Sequence, residues 1–216
     1  MLNRALVAVA ITFAAASAHA GDVLLSEEFN DVAALPSGWV QSNLSSPAGS
    51  TSWFQGDQTI FGAQSGSPEA YIAANFNNAE PGGTINNWLI TPTFSTESGV
   101  TISFWAKGAN DPGFADHLSF GISNGSGIDP AAFSLVSSFT AQGDWTQYTV
   151  NYAAQGAGSV ARIGINYTGA ADLSNYIGVD TLTVTALPVP EPSTWALMGL
   201  GLMGLGIVKR RAGAPR

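Results

Sequence analysis

From Val100 onward, apolar side chains recur at every second position. Val100, Ile102, Phe104 and Ala106 alternate with Thr101, Ser103, Trp105 and Lys107, and Leu118, Phe120 and Ile122 alternate with Ser119, Gly121 and Ser123. The pattern returns in Thr146, Tyr148, Val150 and Tyr152 and in Ala161, Ile163, Ile165 and Tyr167. Successive side chains of a strand point to opposite faces, so a period of two puts one face in a core and the other in water. Gly-, Asn-, Asp- and Pro-rich stretches at 108–113, 124–127 and 156–158 separate the runs as turns. No window between 21 and 189 carries a helical apolar stripe. Short strands without covering helices predict an all-β, antiparallel sandwich or barrel.

One strand breaks its own rule. Between Tyr176 and Thr185, Ile177 and Val179 share one face while Leu182 and Val184 share the other. One extra residue near Asp180-Thr181 restores a common facing, so a β-bulge is expected there, re-aiming Asp180.

The two ends follow neither pattern. Residues 1–20 carry Arg4, an apolar run from Ala5 to Ala16, and Ala18-His19-Ala20. A charged start, a short apolar centre and an A-x-A site read as a secretory signal peptide cleaved after Ala20, with signal peptidase as the processing enzyme. At the other end a linker, 187–192, contains Pro190, Glu191 and Pro192; 193–208 carries no charge; and Lys209, Arg210 and Arg211 open a basic tail, 209–216. Sixteen helical residues reach ~24 Å against a hydrocarbon core of ~30 Å, a gap that snorkelling Lys and Arg close. The segment 193–208 is therefore expected to be a single transmembrane helix in the inner membrane, its basic end cytoplasmic and the residues before it outside.

Removing the ends sharpens the charge. The whole chain has 216 residues and a formal charge of −8. Setting aside Glu191 and the basic residues Arg4, Lys209, Arg210, Arg211 and Arg216 leaves 14 acidic residues against two basic ones, Lys107 and Arg162. So acidic a domain is not a nucleic-acid binder, since that affinity comes from Lys and Arg meeting phosphates. With no cysteine anywhere, disulfides, thiolate metal sites and thiol catalysis are excluded.

The run Val189-Pro-Glu-Pro-Ser-Thr-Trp, its apolar continuation and Lys209-Arg210-Arg211 resemble the PEP-CTERM sorting signal of Gram-negative bacteria. The resemblance implies processing near Pro190-Glu191-Pro192 by an exosortase, a transpeptidase-like membrane enzyme, and delivery to the cell surface or exopolysaccharide matrix. Between the ends, Ser26-Glu27-Glu28-Phe29-Asn30, Pro36-Ser37-Gly38-Trp39, Asn87 to Pro92, Val100 to Lys107, Ala115 to Ser123, Trp145 to Tyr148 and Ile177 to Asp180 are similar, in this order, to the cleaved-adhesin or choice-of-anchor J domain. That resemblance covers 21–186 and implies a jelly-roll β-sandwich of the kind found on surface proteins, several of which hold structural calcium. The Asn- and Asp-rich loop after the first tryptophan is replaced here by the uncharged stretch 41–52.

Few residues are equipped for chemistry. His117 is the one histidine between the ends, and Asp116, its neighbour on a strand, points to the opposite face and does not orient the imidazole. No G-x-S-x-G occurs, and no enzyme is expected. Calcium wants hard oxygen ligands, and Glu28 and Asp180, on the first and last strands, are the candidate pair. Trp105, facing away from Phe104, and Trp53, in a Gly/Ser/Gln-rich stretch, are candidate exposed platforms for a sugar, while Trp88 and Trp145 are expected in the core. The reading is an exported, surface-sorted adhesion or binding module. Its alternative is a carbohydrate-binding module for exopolysaccharide, and a glycan hydrolase or lyase stands third.

Overall fold

The computed structural model describes residues 21–188, and within them every regular element is a strand or a short 3-10 turn. In chain order the strands are β1 Val23–Glu27, β2 Val40–Asn43, β3 Ser46–Ala48, β4 Phe54–Gln55, β5 Ile72–Asn75, β6 Ala79–Ile90, β7 Phe94–Ser95, β8 Val100–Gly108, β9 His117–Asn124, β10 Phe133–Thr140, β11 Thr146–Tyr152, β12 Val160–Ala170 and β13 Tyr176–Ala186. They form two antiparallel sheets. The first runs β11-β8-β13-β5-β4, with β1 also paired to β13; the second runs β10-β9-β12-β6-β2, with β3 on β6 and β7 on β12. The chain crosses between the sheets again and again instead of finishing one first, which is jelly-roll connectivity. Gly21–Leu187 is one compact unit. The signal peptide, the Pro-Glu-Pro linker, the transmembrane helix and the basic tail lie outside the described residues. Among the described residues no helix is long and apolar enough to cross a membrane.

Period two does what the alternation requires. Val100, Ile102, Phe104 and Ala106 of β8 are fully buried, as are Ile163, Ile165 and Tyr167 of β12, and together with Leu118, Phe120 and Ile122 of β9 they fill the space between the sheets. Phe104 and Phe120 meet edge to face across the two layers at 5.2 Å, a preferred aromatic arrangement. The expected bulge is present: the β13–β8 register shifts between Asp180 and Thr183. Because of it Ile177 and Val179 on one side, and Leu182 and Val184 on the other, all reach the same core with no exposure.

The second sheet departs from simple alternation. Ser119 and Ser123 of β9 are buried although they face away from the core. The outer face is itself covered there: a Cβ on Gly121 would stand 2.5 Å from the Ser134 carbonyl oxygen, and one on Gly164 would meet the Phe133 and Trp88 rings at 3.0 Å. Trp88, Ile90 and Phe133 form this small outer cluster, so Trp88 is buried, but not between the sheets. Trp145 is half-buried, and its indole N–H donates to the Gly62 carbonyl at 2.9 Å.

The segment 56–71 covers the outer face of the first sheet. Phe61 stacks on Tyr71 at 5.1 Å, and Tyr71 and Tyr176 hydroxyls both accept from the Asp57 N–H. Gly178 leaves room for this cover, since a Cβ there would lie 2.7 Å from the Tyr71 ring. Trp53 corrects an expectation: it is 4 % exposed and belongs to the main core. The turn-rich stretch around it closes one side of the sandwich and turns the indole inward, where burying so large a ring outweighs leaving its N–H unpaired. Trp53 is no sugar platform. Trp105 does lie on the outer face, half-buried.

Candidate functional site

Glu28 and Asp180 come together. Strand β1 pairs with β13 antiparallel, Glu27 opposite Leu182, which brings the residue after β1 against the β13 bulge. Asp180 is fully buried, yet its carboxylate is well supplied with donors: Oδ2 accepts from the Gln64 and Ser65 N–H groups at 2.8 and 3.1 Å, and Oδ1 from the Thr181 N–H at 2.7 Å. Burial, with a smaller push from the Glu28 charge, nonetheless lifts its pKa to about 6.

Around this carboxylate the oxygens outnumber the protons. Thr181 Oγ1 lies 3.1 Å from Glu28 Oε2, 3.1 Å from Gln64 Oε1 and 3.4 Å from Asp180 Oδ1. One hydroxyl proton serves one of these three acceptors. The others face oxygen without a hydrogen between them, an arrangement that a proton on Asp180, a turned Gln64 amide or a cation would each relieve. Backbone strain gathers at the same place. Among the described residues, the two non-glycine positions with positive φ are Phe29, at 50°, and Thr181, at 47°, each directly following one of the two carboxylates. For a β-branched residue such as Thr181 this region is a true outlier, and such strain persists only where its surroundings impose it. Two carboxylates, an amide oxygen and a hydroxyl fit a hard divalent cation. No group of three His, Cys, Asp or Glu side chains gathers among the described residues, so further ligands would have to be carbonyls or water. Gln64 and Ser65 carry no sequence signal of their own; the parity break at Asp180-Thr181, together with the resemblance, pointed to this spot.

The remaining candidates are dispersed. Trp105 stands opposite Asp180 in the β8–β13 register, on the outer face. Asp116 is buried, accepting from Tyr167 Oη at 2.6 Å and the Asn175 N–H at 2.7 Å; burial holds its pKa above the ordinary carboxylate range. His117 is exposed, with Nδ1 3.1 Å from Thr140 Oγ1. The acid, one residue before β9, is thus buried while the imidazole that opens the strand is exposed. Both basic residues of the domain are engaged. Arg162 donates to the carbonyls of Gly38, Thr91 and Ser126, and Lys107 Nζ lies 5.0 Å above the Phe61 ring.

Residues 188–211 match the PEP-CTERM protein-sorting motif. The motif implies export, exosortase processing and sorting to the cell surface. The sandwich resembles the K1 cleaved adhesin domain of Lys-gingipain from Porphyromonas gingivalis, at 22 % identity and a TM-score of 0.58 over 77 % of this chain and 99 % of that one. The K3 cleaved adhesin domain of the same protein is similar at 18 % identity and a TM-score of 0.56, over 76 % of this chain and 100 % of that one. The K2 cleaved adhesin domain follows at 18 % identity and 0.55, over 74 % and 98 %. At these identities the likeness is one of fold. No curated protein sequence matches the chain.

Proposed function

We propose that the sandwich is the cargo of the sorting signal and works at the cell surface as a non-catalytic adhesion or binding module. The observation that carries this reading is adjacency. The compact unit ends at Leu187 and the sorting motif begins at residue 188, so the domain next to the address is the sandwich itself. The resemblance of its fold to cleaved adhesin domains supports the same view. So does the hydrogen bonding of His117, whose Nδ1 lies against the Thr140 hydroxyl and not against a carboxylate. The second reading, a module that binds surface exopolysaccharide, is a special case of the first.

The test separates address from cargo. A fluorescent reporter is put in place of residues 21–187, keeping both ends. The reporter is expected at the cell surface, and attachment of the cells to their matrix is expected to weaken. Full attachment with the reporter at the surface would contradict the reading.

A structural calcium ion belongs to the proposal. Glu28, Asp180, Gln64 and Thr181 would hold it, joining the residue after the first strand, the last strand and the segment 56–71. When bound it supplies positive charge to oxygens that outnumber their protons.

A further inference from the structure

Three connections between the sheets meet at one end of the sandwich: 76–78 joins β5 to β6, 109–116 joins β8 to β9, and 171–175 joins β12 to β13. They are tied to one another. The Phe76 N–H donates to the Asn175 carbonyl at 2.9 Å, the Ala115 N–H to the Leu173 carbonyl at 2.8 Å, and the Gly82 N–H to Asp172 Oδ1 at 2.9 Å. Buried Asp116 accepts from the Asn175 and Tyr176 N–H groups and from Tyr167 Oη, and the Asn175 side-chain amide donates to Asp111. Loops bound in this way are preorganised.

Between them lies an open cleft of about 330 Å³ lined by Phe76, Asn77, Pro81, Phe114, Asp172 and Asn175. Phe76 is 45 % exposed and Phe114 48 %. Two half-exposed phenylalanines on braced loops keep apolar rings in water with no fold requirement for them there. The volume lies at the low end of the ~300–1,000 Å³ of small-ligand sites. The polar side chains around the cleft are the amides of Asn77 and Asn175, the carboxylate of Asp172 and the Ser174 hydroxyl, which donates to the Ala170 carbonyl. Asn77 is exposed, and one Asp172 oxygen remains after the other takes the Gly82 N–H. No Lys or Arg lines the cleft, and Arg162 and Lys107 are committed elsewhere.

We propose that this cleft, and not the Trp105 face, is a binding site for a short neutral saccharide. Phe76 and Phe114 take the apolar C–H faces of the sugar, and Asn77, Asp172 and Asn175 take its hydroxyls. A uronate, sulfate or phosphate would meet Asp172 with no cation in the lining to offset it, so charge selects against acidic glycans. The inference rests on the binding-module reading and deepens it.

Calorimetric titration of the compact unit 21–187 tests it, with neutral oligosaccharides of glucose, galactose, mannose and xylose set against oligosaccharides of galacturonate and mannuronate. Phe76→Ala, Phe114→Ala, Phe114→Trp and Trp105→Ala are compared, each checked for an unchanged melting temperature. A neutral sugar is expected to bind, with affinity falling about tenfold, ~1.4 kcal/mol, in each Phe→Ala variant and staying within about twofold in Phe114→Trp and Trp105→Ala. Neutral-sugar binding that survives both Phe→Ala changes would overturn the site while leaving the binding module standing. Preference for the acidic sugars, or capture of a cationic peptide by this cleft instead, would overturn the ligand class. Absence of binding to every sugar would overturn both the site and the glycan-binding reading.

Discussion

Asp180 is a fully buried carboxylate that accepts from three backbone N–H groups. Its pKa of about 6 means that the folded domain keeps a proton there which the unfolded chain, at an ordinary ~4, gives up. The resulting stabilisation is complete below that lower value and is lost as pH rises through about 6, amounting to at most ~3 kcal/mol. In chelator, the melting temperature should therefore be higher near pH 5 than near pH 7.5 by more in the wild type than in Asp180→Asn. Adding calcium should raise the melting temperature near pH 7.5 and do little near pH 5, and Glu28→Gln or Asp180→Asn should abolish that rise. A wild-type curve indifferent to calcium at both pH values would remove the metal from the account. The tryptophans make a second residue-scale prediction: Trp53→Ala should cost ~3–5 kcal/mol in denaturant unfolding, as large buried rings do, while Trp105→Ala should cost far less. The bulge at Asp180 and the orientation of Trp105 were legible because strand parity fixes facing, whereas Glu28, one residue past β1, was paired with Asp180 through the resemblance and not through parity. Trp53 was not, because no alternation runs through residues 44–70 and facing there depends on packing that sequence spacing does not encode.

At the scale of elements, the strands and the β13 bulge could be read directly, since each leaves a local imprint of period two or its interruption. What could not be read is how the outer faces are covered. The burial of Ser119 and Ser123 follows from Gly121, Gly164, Phe133 and Trp88, residues brought together by register and not by sequence proximity. The cover over the first sheet depends similarly on Gly178. Gly178→Ala would push a methyl against the Tyr71 and Phe61 rings and, as overpacking does, should cost ~1–3 kcal/mol. Limited proteolysis should then cut within 56–70 sooner than in the wild type; an unaltered cleavage rate would show that the segment is held by its other contacts alone.

The whole molecule is a strongly acidic sandwich delivered by an address at its end. Sorting was legible because the motif is continuous in sequence, and the sandwich because its alternation is repeated many times. The cleft was not, because its walls come from three connections about 30 to 60 residues apart in sequence. The sandwich is proposed to bind without turnover. Affinity electrophoresis of residues 21–187 through gels containing surface exopolysaccharide, with reducing ends assayed in the same lanes, tests it directly. A retarded band and no new reducing ends are expected. Release of new ends by the purified domain would contradict the proposal, and an unretarded band on every polysaccharide would remove the exopolysaccharide reading.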